Sequence, residues 1–245
     1  MEEIRRDYIT EEDNATKIKI VIDYEIKNLF GLFHNITFIK KINFVKFRRN
    51  DIKNMMYIFK NCSSLEELNL SIFNISNVTN MTDMFFRCKS LKELNLSNFN
   101  DNKVKDISGM FYECESLQEI NLSNFNTSNI TNMTEMFYGC ESLKKINLSN
   151  FNTGNVIDMS GMFFGCKSLK ELNLSNFNTG NVIDMKYMFY GCSSLKELNL
   201  SNFDTSNVNH MTSMFYGCSS LEELICNNKS IKKQREKYIK NYKYN

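Results

Sequence analysis

The stretch FNTSNITNMTEMFYGCESLKKINLSN, residues 125–150, is followed at Phe151 by a near copy of itself. Its cysteine marks the repeat. Cys62, Cys88, Cys114, Cys140, Cys166, Cys192 and Cys218 are spaced 26 residues apart without exception. A constant period of this length predicts a solenoid, in which each repeat is one coil stacked on the last.

Two periodicities share each copy. Ile130, Met133, Met136, Phe137 and Cys140 follow one another at steps of 3, 3, 1 and 3, the spacing of one face of an α-helix. Asn129 then stands where a side chain can cap the free backbone N–H groups. Gly139 stands at the helix end, where a left-handed residue is wanted. Arg87 and Glu113 hold that position in earlier copies, which calls for a different closure there. Ile146 and Leu148 alternate with Lys145, Asn147 and Ser149, the pattern of a short half-buried strand. The expected coil is therefore strand, turn at Phe, short helix and return. One coil cannot bury both of its faces, so its stability must come from neighbours on either side.

The pattern runs backward past Phe47. Ile26, Leu29, Leu32, Phe33 and Ile36 match the helix positions, and Ile39, Ile42 and Phe44 match Leu65, Leu68 and Leu70. Lys17-Ile-Lys-Ile-Val-Ile-Asp23 alternates like a strand that seals the first coil. The expected division is a polar segment 1–17 with loose residues at its start, a cap and degenerate first coil 18–46, the repeats 47–225, and a basic cap or tail 226–245. In that last piece Ile231, Tyr238, Ile239 and Tyr242 would form a helix face over the final coil.

Composition bounds function from the other side. The net charge of +2 gives no global attraction to nucleic acid or membrane. No basic start with an apolar core opens the chain, and no apolar run approaches a membrane span; as written it reads as cytoplasmic. Seven of the eight cysteines sit at one place in each coil, on faces expected to lie as far apart as packed helices, so they read as a ladder of reduced, buried thiols rather than disulfides. No CxxC pair occurs and His34 and His210 are the two histidines, so no metal site is read. There is no phosphate loop and no Ser-His-Asp or Cys-His arrangement by motif, so no catalytic residue and no cofactor is assigned.

The block Leu-x-x-Leu-Asn-Leu-Ser-Asn-Phe-Asn-Thr-Ser-Asn-Val-x-x-Met-x-x-Met-Phe-x-x-Cys-x-Ser-Leu resembles the BspA-like leucine-rich repeat proteins of bacteria, many mycoplasma lipoproteins among them, and protists. It covers roughly residues 47–224. The resemblance implies an α/β right-handed solenoid with parallel strands on one face and short helices on the other, here of about seven to eight coils. It also implies adhesion or protein–protein interaction for some members and admits a cell-surface location. It brings no catalytic residues.

Two repeated stripes are the candidate partner-binding positions. On the strand face run Asn69, Asn95, Asn121, Asn147, Asn173 and Asn199, flanked by a Glu row and a Ser row. They form either a binding face or a ladder of amides bonded to one another. The second stripe, Phe86, Tyr112, Tyr138, Phe164, Tyr190 and Tyr216, follows the buried Phe of each helix. These rings form either an exposed contact edge or a layer packed over the next coil. The first reading is a non-catalytic scaffold for a protein partner, acting as a monomer. The alternative is a binder of nucleic acid or an anionic membrane through the basic segment 229–243.

Overall fold

Two hydrogen-bonded ladders lie on opposite sides of a filled apolar core: one of turns, which holds each coil to the next, and one of short strands, which forms in three separate sheets. The computed structural model describes residues 17–22, 28–47, 51–100 and 103–243. Every strand pairing in it is parallel and in a register of 26 residues or close to it. β1 (Lys17–Ile22) pairs with β2 (Lys41–Phe47), and β2 with β3 (Glu67–Asn69). β4 (Glu93–Asn95) pairs with β5 (Glu119–Asn121), and β6 (Glu197–Asn199) with β7 (Glu223–Ile225). β1 supplies the sealing strand expected before the first coil, with an irregularity between Ile20 and Val21. Residues 1–16 and Ile26 lie outside the described residues.

The helix expected on the other face is absent from the repeats among the described residues; α1 (Lys229–Lys243) is the helix found there. The apolar spacing of 3, 3, 1 and 3 is instead that of a run of tight turns. Ile58, Lys60 and Cys62 donate to the carbonyls three residues back, at 3.4, 3.0 and 3.1 Å. The residues between them, Tyr57, Phe59 and Asn61, donate to Thr82, Met84 and Phe86 of the following coil, at 3.1, 3.0 and 2.7 Å. A helix would spend every N–H within its own coil. Alternating turn and ladder bonds serves both the local turn and the stack, so each coil is bonded to its neighbour on this side as well. Isolated parallel bridges continue the same ladder from Asn54 through Asn80, Asp106, Asn132, Asp158 and Asp184 to His210.

This geometry needs a positive φ twice per coil, the third residue of a type II turn being left-handed. One series is Tyr57, Asp83, Gly109, Glu135, Gly161, Tyr187 and Ser213; the other is Asn61, Arg87, Glu113, Gly139, Gly165, Gly191 and Gly217. Gly139 is left-handed as expected, at φ 69°. Arg87 and Glu113 take the same conformation themselves, at 58° and 51°, rather than closing the turn another way. Each bears the strain of a side chain there. At Gly109 a Cβ would fall 2.0 Å from Asp83 Oδ1, which leans across it.

Between the ladders the core is layered by residue type. Phe59, Phe85, Phe111, Phe137, Phe163, Phe189 and Phe215 are buried and stack with ring centroids 5.4–5.9 Å apart. The seven-cysteine ladder lies beside them, free and buried. The turn ladder keeps adjacent copies close, unlike the helical spacing expected, yet each thiol is engaged elsewhere: Cys62 Sγ donates to the Phe33 carbonyl at 3.0 Å and Cys140 Sγ to that of Phe111 at 3.1 Å. Burial pushes the Cys62 thiol up to about 12 and Cys140 well above the usual thiol value, so neither forms the reactive thiolate at neutral pH.

α1 closes the last coil. Asn228 Oδ1 accepts from Ser230 and Ile231 N–H at 2.8 and 3.3 Å, an N-cap. Ile231 is fully buried, and Arg235 donates to the Leu221 and Glu222 carbonyls at 2.7 and 2.9 Å. Tyr238 meets Tyr216 edge-on at 5.8 Å and Ile239 is half-buried; the Tyr242 side chain lies outside the described residues.

Candidate functional site

On the strand face Asn69, Asn95, Asn121, Asn147, Asn173 and Asn199 are all exposed. Their side chains do not form the amide-to-amide ladder, one of the two readings of this row. Each Oδ1 accepts from the N–H two residues on: Ser71 to Asn69 at 3.0 Å, Ser97 to Asn95 at 2.9 Å, Ser123 to Asn121 at 3.0 Å, and likewise Ser149, Ser175 and Ser201. The reason is the length of the extended segment. It ends at the Asn, whether or not it pairs as a strand, and the amide captures the backbone donor two residues on.

The stripe divides in two. Asn69, Asn95 and Asn121 line one shallow groove of about 790 Å³, together with Glu67, Glu93 and Glu119. Asn147, Asn173 and Asn199 lie outside it. Lys41 pairs with Glu67, and Lys40 with Glu66 at 3.2 Å. Glu93 and Glu119 make no ion pair among the described residues. The groove thus offers two uncommitted carboxylates with Asn amides alongside. Lys145 breaks the Glu row just past its end.

The aromatic stripe is a second continuous stack. Phe86, Tyr112, Tyr138, Phe164, Tyr190 and Tyr216 lie 4.2–4.8 Å apart between centroids, nearly parallel. The helical projection put these rings away from the core; in the turn ladder they pack on the same position of the next coil and are half-buried, Tyr216 being 38% exposed. Their faces are spent on one another. Lys60 Nζ, 4.2 Å above Phe86, closes one end, and Tyr238 stands against the other. What solvent meets is ring edges and hydroxyls: Tyr112, Tyr138 and Tyr190 have a stacked ring on both faces, and the outer side of Tyr216 is met edge-on by Tyr238. Burial pushes the Tyr112 and Tyr138 hydroxyls up from the usual phenol value.

A third face went unread in the sequence. Asn129, Asn155, Asn181 and Asn207 line an open groove of about 760 Å³ with Thr131, Ile157, Ile183 and Asn209. With no helix among the described residues of the repeats, the cap expected of Asn129 has nothing to cap; the amide that bonds the local backbone is that of Asn132, whose Oδ1 accepts from Thr134 N–H at 3.0 Å. Asn155, Asn181 and Asn207 donate to carbonyls of the preceding coil at 2.6–2.7 Å. Ile157 and Ile183, 46% and 41% exposed, replace Thr131 in this row; an aliphatic residue in an otherwise polar turn position was the available signal.

The basic segment is partly committed. Arg235 belongs to the cap, while Lys229, Lys232, Lys233 and Lys237 are exposed. No group of three or more His, Cys, Asp or Glu that could hold a metal occurs among the described residues, and no described helix is long and apolar enough to cross a membrane.

Stacked parallel coils, an Asn-x-Ser strand edge and a buried Phe-Cys ladder define the class: a BspA-like leucine-rich repeat protein. The chain belongs to the family described as "Mycoplasma protein of unknown function, DUF285", which matches residues 27–147 and 144–241. Two solved structures are similar in part. One is a leucine-rich repeat protein from Bacteroides ovatus, 19% identical over 90% of this chain and 70% of its own, at a TM-score of 0.43. The other is a leucine rich cell surface protein from Faecalibacterium prausnitzii, 14% identical over 90% of this chain and 81% of its own, at 0.38. No curated protein matches.

Proposed function

We propose that this protein is a non-catalytic repeat scaffold, a right-handed solenoid of eight coils, that binds a protein partner along its strand face. The observation that carries the reading is the groove in which Asn69, Asn95 and Asn121 converge with the uncommitted Glu93 and Glu119. Open concave faces of stacked repeats are the usual place where such folds meet partners. In this reading residues 18–46 are a cap and degenerate first coil, the repeats 47–225 carry most of the face, and 226–245 are a basic cap or tail.

The test is capture from the native cell on the wild-type chain and on Glu93→Lys/Glu119→Lys. A partner held by the wild type and lost from the variant, with an unchanged melting temperature, supports the groove. A partner retained by the variant but lost on Lys232→Glu/Lys233→Glu, and released by moderate salt, would instead support binding of nucleic acid or an anionic surface through α1.

A further inference from the structure

The two ends of the stack carry complementary backbone edges. Along the stack one position after another donates to the following coil: Tyr57, Phe59 and Asn61 to Thr82, Met84 and Phe86, and again Tyr187, Phe189 and Gly191 to Thr212, Met214 and Tyr216. In the last coil these donors are Ser213, Phe215 and Gly217. Their N–H groups meet no protein acceptor among the described residues. In the first coil the acceptor positions are the carbonyls of Phe30, Leu32 and His34, and no described donor reaches them. Counted in the 26-residue register, these open donors of one end match these open acceptors of the other, and Met211 N–H and the Asn28 carbonyl extend the match by one further position.

Side chains follow the same break. Leu32 is 38% exposed, whereas Ile58 and Met84 at its position in the next coils are fully buried. Phe30 beside it is 51% exposed. At the far end Val208 and Met211 are partly exposed, whereas Val182 and Met185 are fully buried. α1 is tied to this end through buried Ile231, through Arg235 to the Leu221 and Glu222 carbonyls and through its N-cap Asn228 to Thr205 Oγ1, while Val208 and Met211 stay partly exposed. Tyr238 stands edge-on against Tyr216, where a further coil would stack its own ring; in the first coil that ring position belongs to His34.

We propose that the C-terminal end of the stack is a docking site for the first coil of a second copy of this chain, and that α1 is the cap that competes for it. The occupant follows from the register. A foreign strand could accept from Ser213, Phe215 and Gly217, but the first coil brings, in step with its carbonyls, Leu32 and Phe30 for the open apolar edge and His34 for the ring stack. The contact starts at Val208 and Met211 and is completed when α1 swings aside. Such a head-to-tail contact is heterologous and does not close on itself, so it extends into a filament. With α1 seated, the chain stays monomeric. The site is independent of the strand-face groove.

The experiment is light scattering coupled to size exclusion on the full chain over a range of concentrations, with far-UV circular dichroism to check the fold. Wild type is expected to run as a monomer. Ile231→Asp unseats α1, and its mass is expected to climb with concentration through dimer to larger species, a self-association at least about tenfold tighter than wild type. Leu32→Asp in the same chain is expected to return it to monomer. A folded Ile231→Asp that stays monomeric overturns the proposal, as does association that survives Leu32→Asp. If Ile231→Asp does not fold, Tyr238→Ser is read in the same way: concentration-dependent growth abolished by Leu32→Asp supports the site, and a monomer overturns it.

Discussion

The turn face and the strand face of the same coils are bonded very differently. The turn ladder runs without a gap from Gly31 to Tyr216, each coil giving several N–H groups to the next. The strand ladder forms between β1, β2 and β3, between β4 and β5, and between β6 and β7, and is not formed at 145–147 or 171–173. Yet Glu171-Leu172-Asn173 has the same residues as β4 and β6. A three-residue strand contributes one or two bonds per neighbour, so small differences in coil placement make or lose it. The turn face spreads its bonds over every second residue and ties them to stacked, buried rings. The side that looks least like a sheet is the one that fixes the stack.

The sharpest way to break this contrast is to remove one large core residue from each side. Phe137 is fully buried between Phe111 and Phe163, at 5.4 and 5.7 Å. Phe137→Ala is expected to cost about 3–5 kcal/mol in chemical denaturation. Ile146, 8% exposed beside the interrupted strand ladder, is expected to cost only about 2 kcal/mol as Ile146→Ala, the low end for such a deletion. Equal losses would show that both faces hold the stack alike.

Backbone strain sharpens it next. Gly165 is left-handed at φ 67° and its position on the turn face repeats in every coil. Gly165→Ala is expected to lower stability by about 1–2 kcal/mol. Ser213, at φ 54° in the last coil, carries the same strain, so Ser213→Gly is expected to gain up to about 1 kcal/mol. Thermal melts of the two variants should move in opposite directions.

The asparagine turns give a smaller, paired test. Asn132 is half-buried on the turn face, and its Oδ1 holds both the N–H and the hydroxyl of Thr134, at 3.0 and 2.7 Å. Asn147 makes one such bond, to Ser149 N–H, on the exposed strand face. Asn132→Ala is expected to cost about 1 kcal/mol and Asn147→Ala no more than about 0.5 kcal/mol. Each is read from the shift of the denaturation midpoint.

Burial was legible in the sequence almost residue by residue, because apolar periodicity reports which side chains face inward. Met133, Met136, Phe137 and Cys140 are all buried. Backbone form was not, because a run of tight turns and a helix can bury the same spacing. The signal that separates them is the left-handed residue at mid-segment: Gly109 and Gly161 hold a position that a helix interior disfavours. Asp83, Glu135 and Tyr187 at that position conceal it in the other copies. The Asn stripe was legible as an exposed row but not as two halves. Its groove ends near Lys145, and which strands pair depends on coil placement that identical local sequences do not record.

The finest test of the contrast is electrostatic. Glu135 sits half-buried at a left-handed turn position, with its Cγ 3.1 Å from where a Cβ on Gly161 would lie. Burial, with the charges of Asp83 and Asp158 added to it, holds its carboxyl above the ordinary carboxylate range. A carboxyl raised in the fold favours its neutral form there. Its contribution to stability is therefore fully present below the unfolded value of about 4.3 and is lost as pH rises through the folded value. Glu135→Gln keeps the neutral shape at every pH. It is expected to match wild type near pH 3, and to melt higher than wild type at pH 7, the gap opening just above the unfolded value. A gap that is the same at both pH values would mean that the substitution acts through packing, and that the turn face, for all its bonding, does not desolvate the charge it carries.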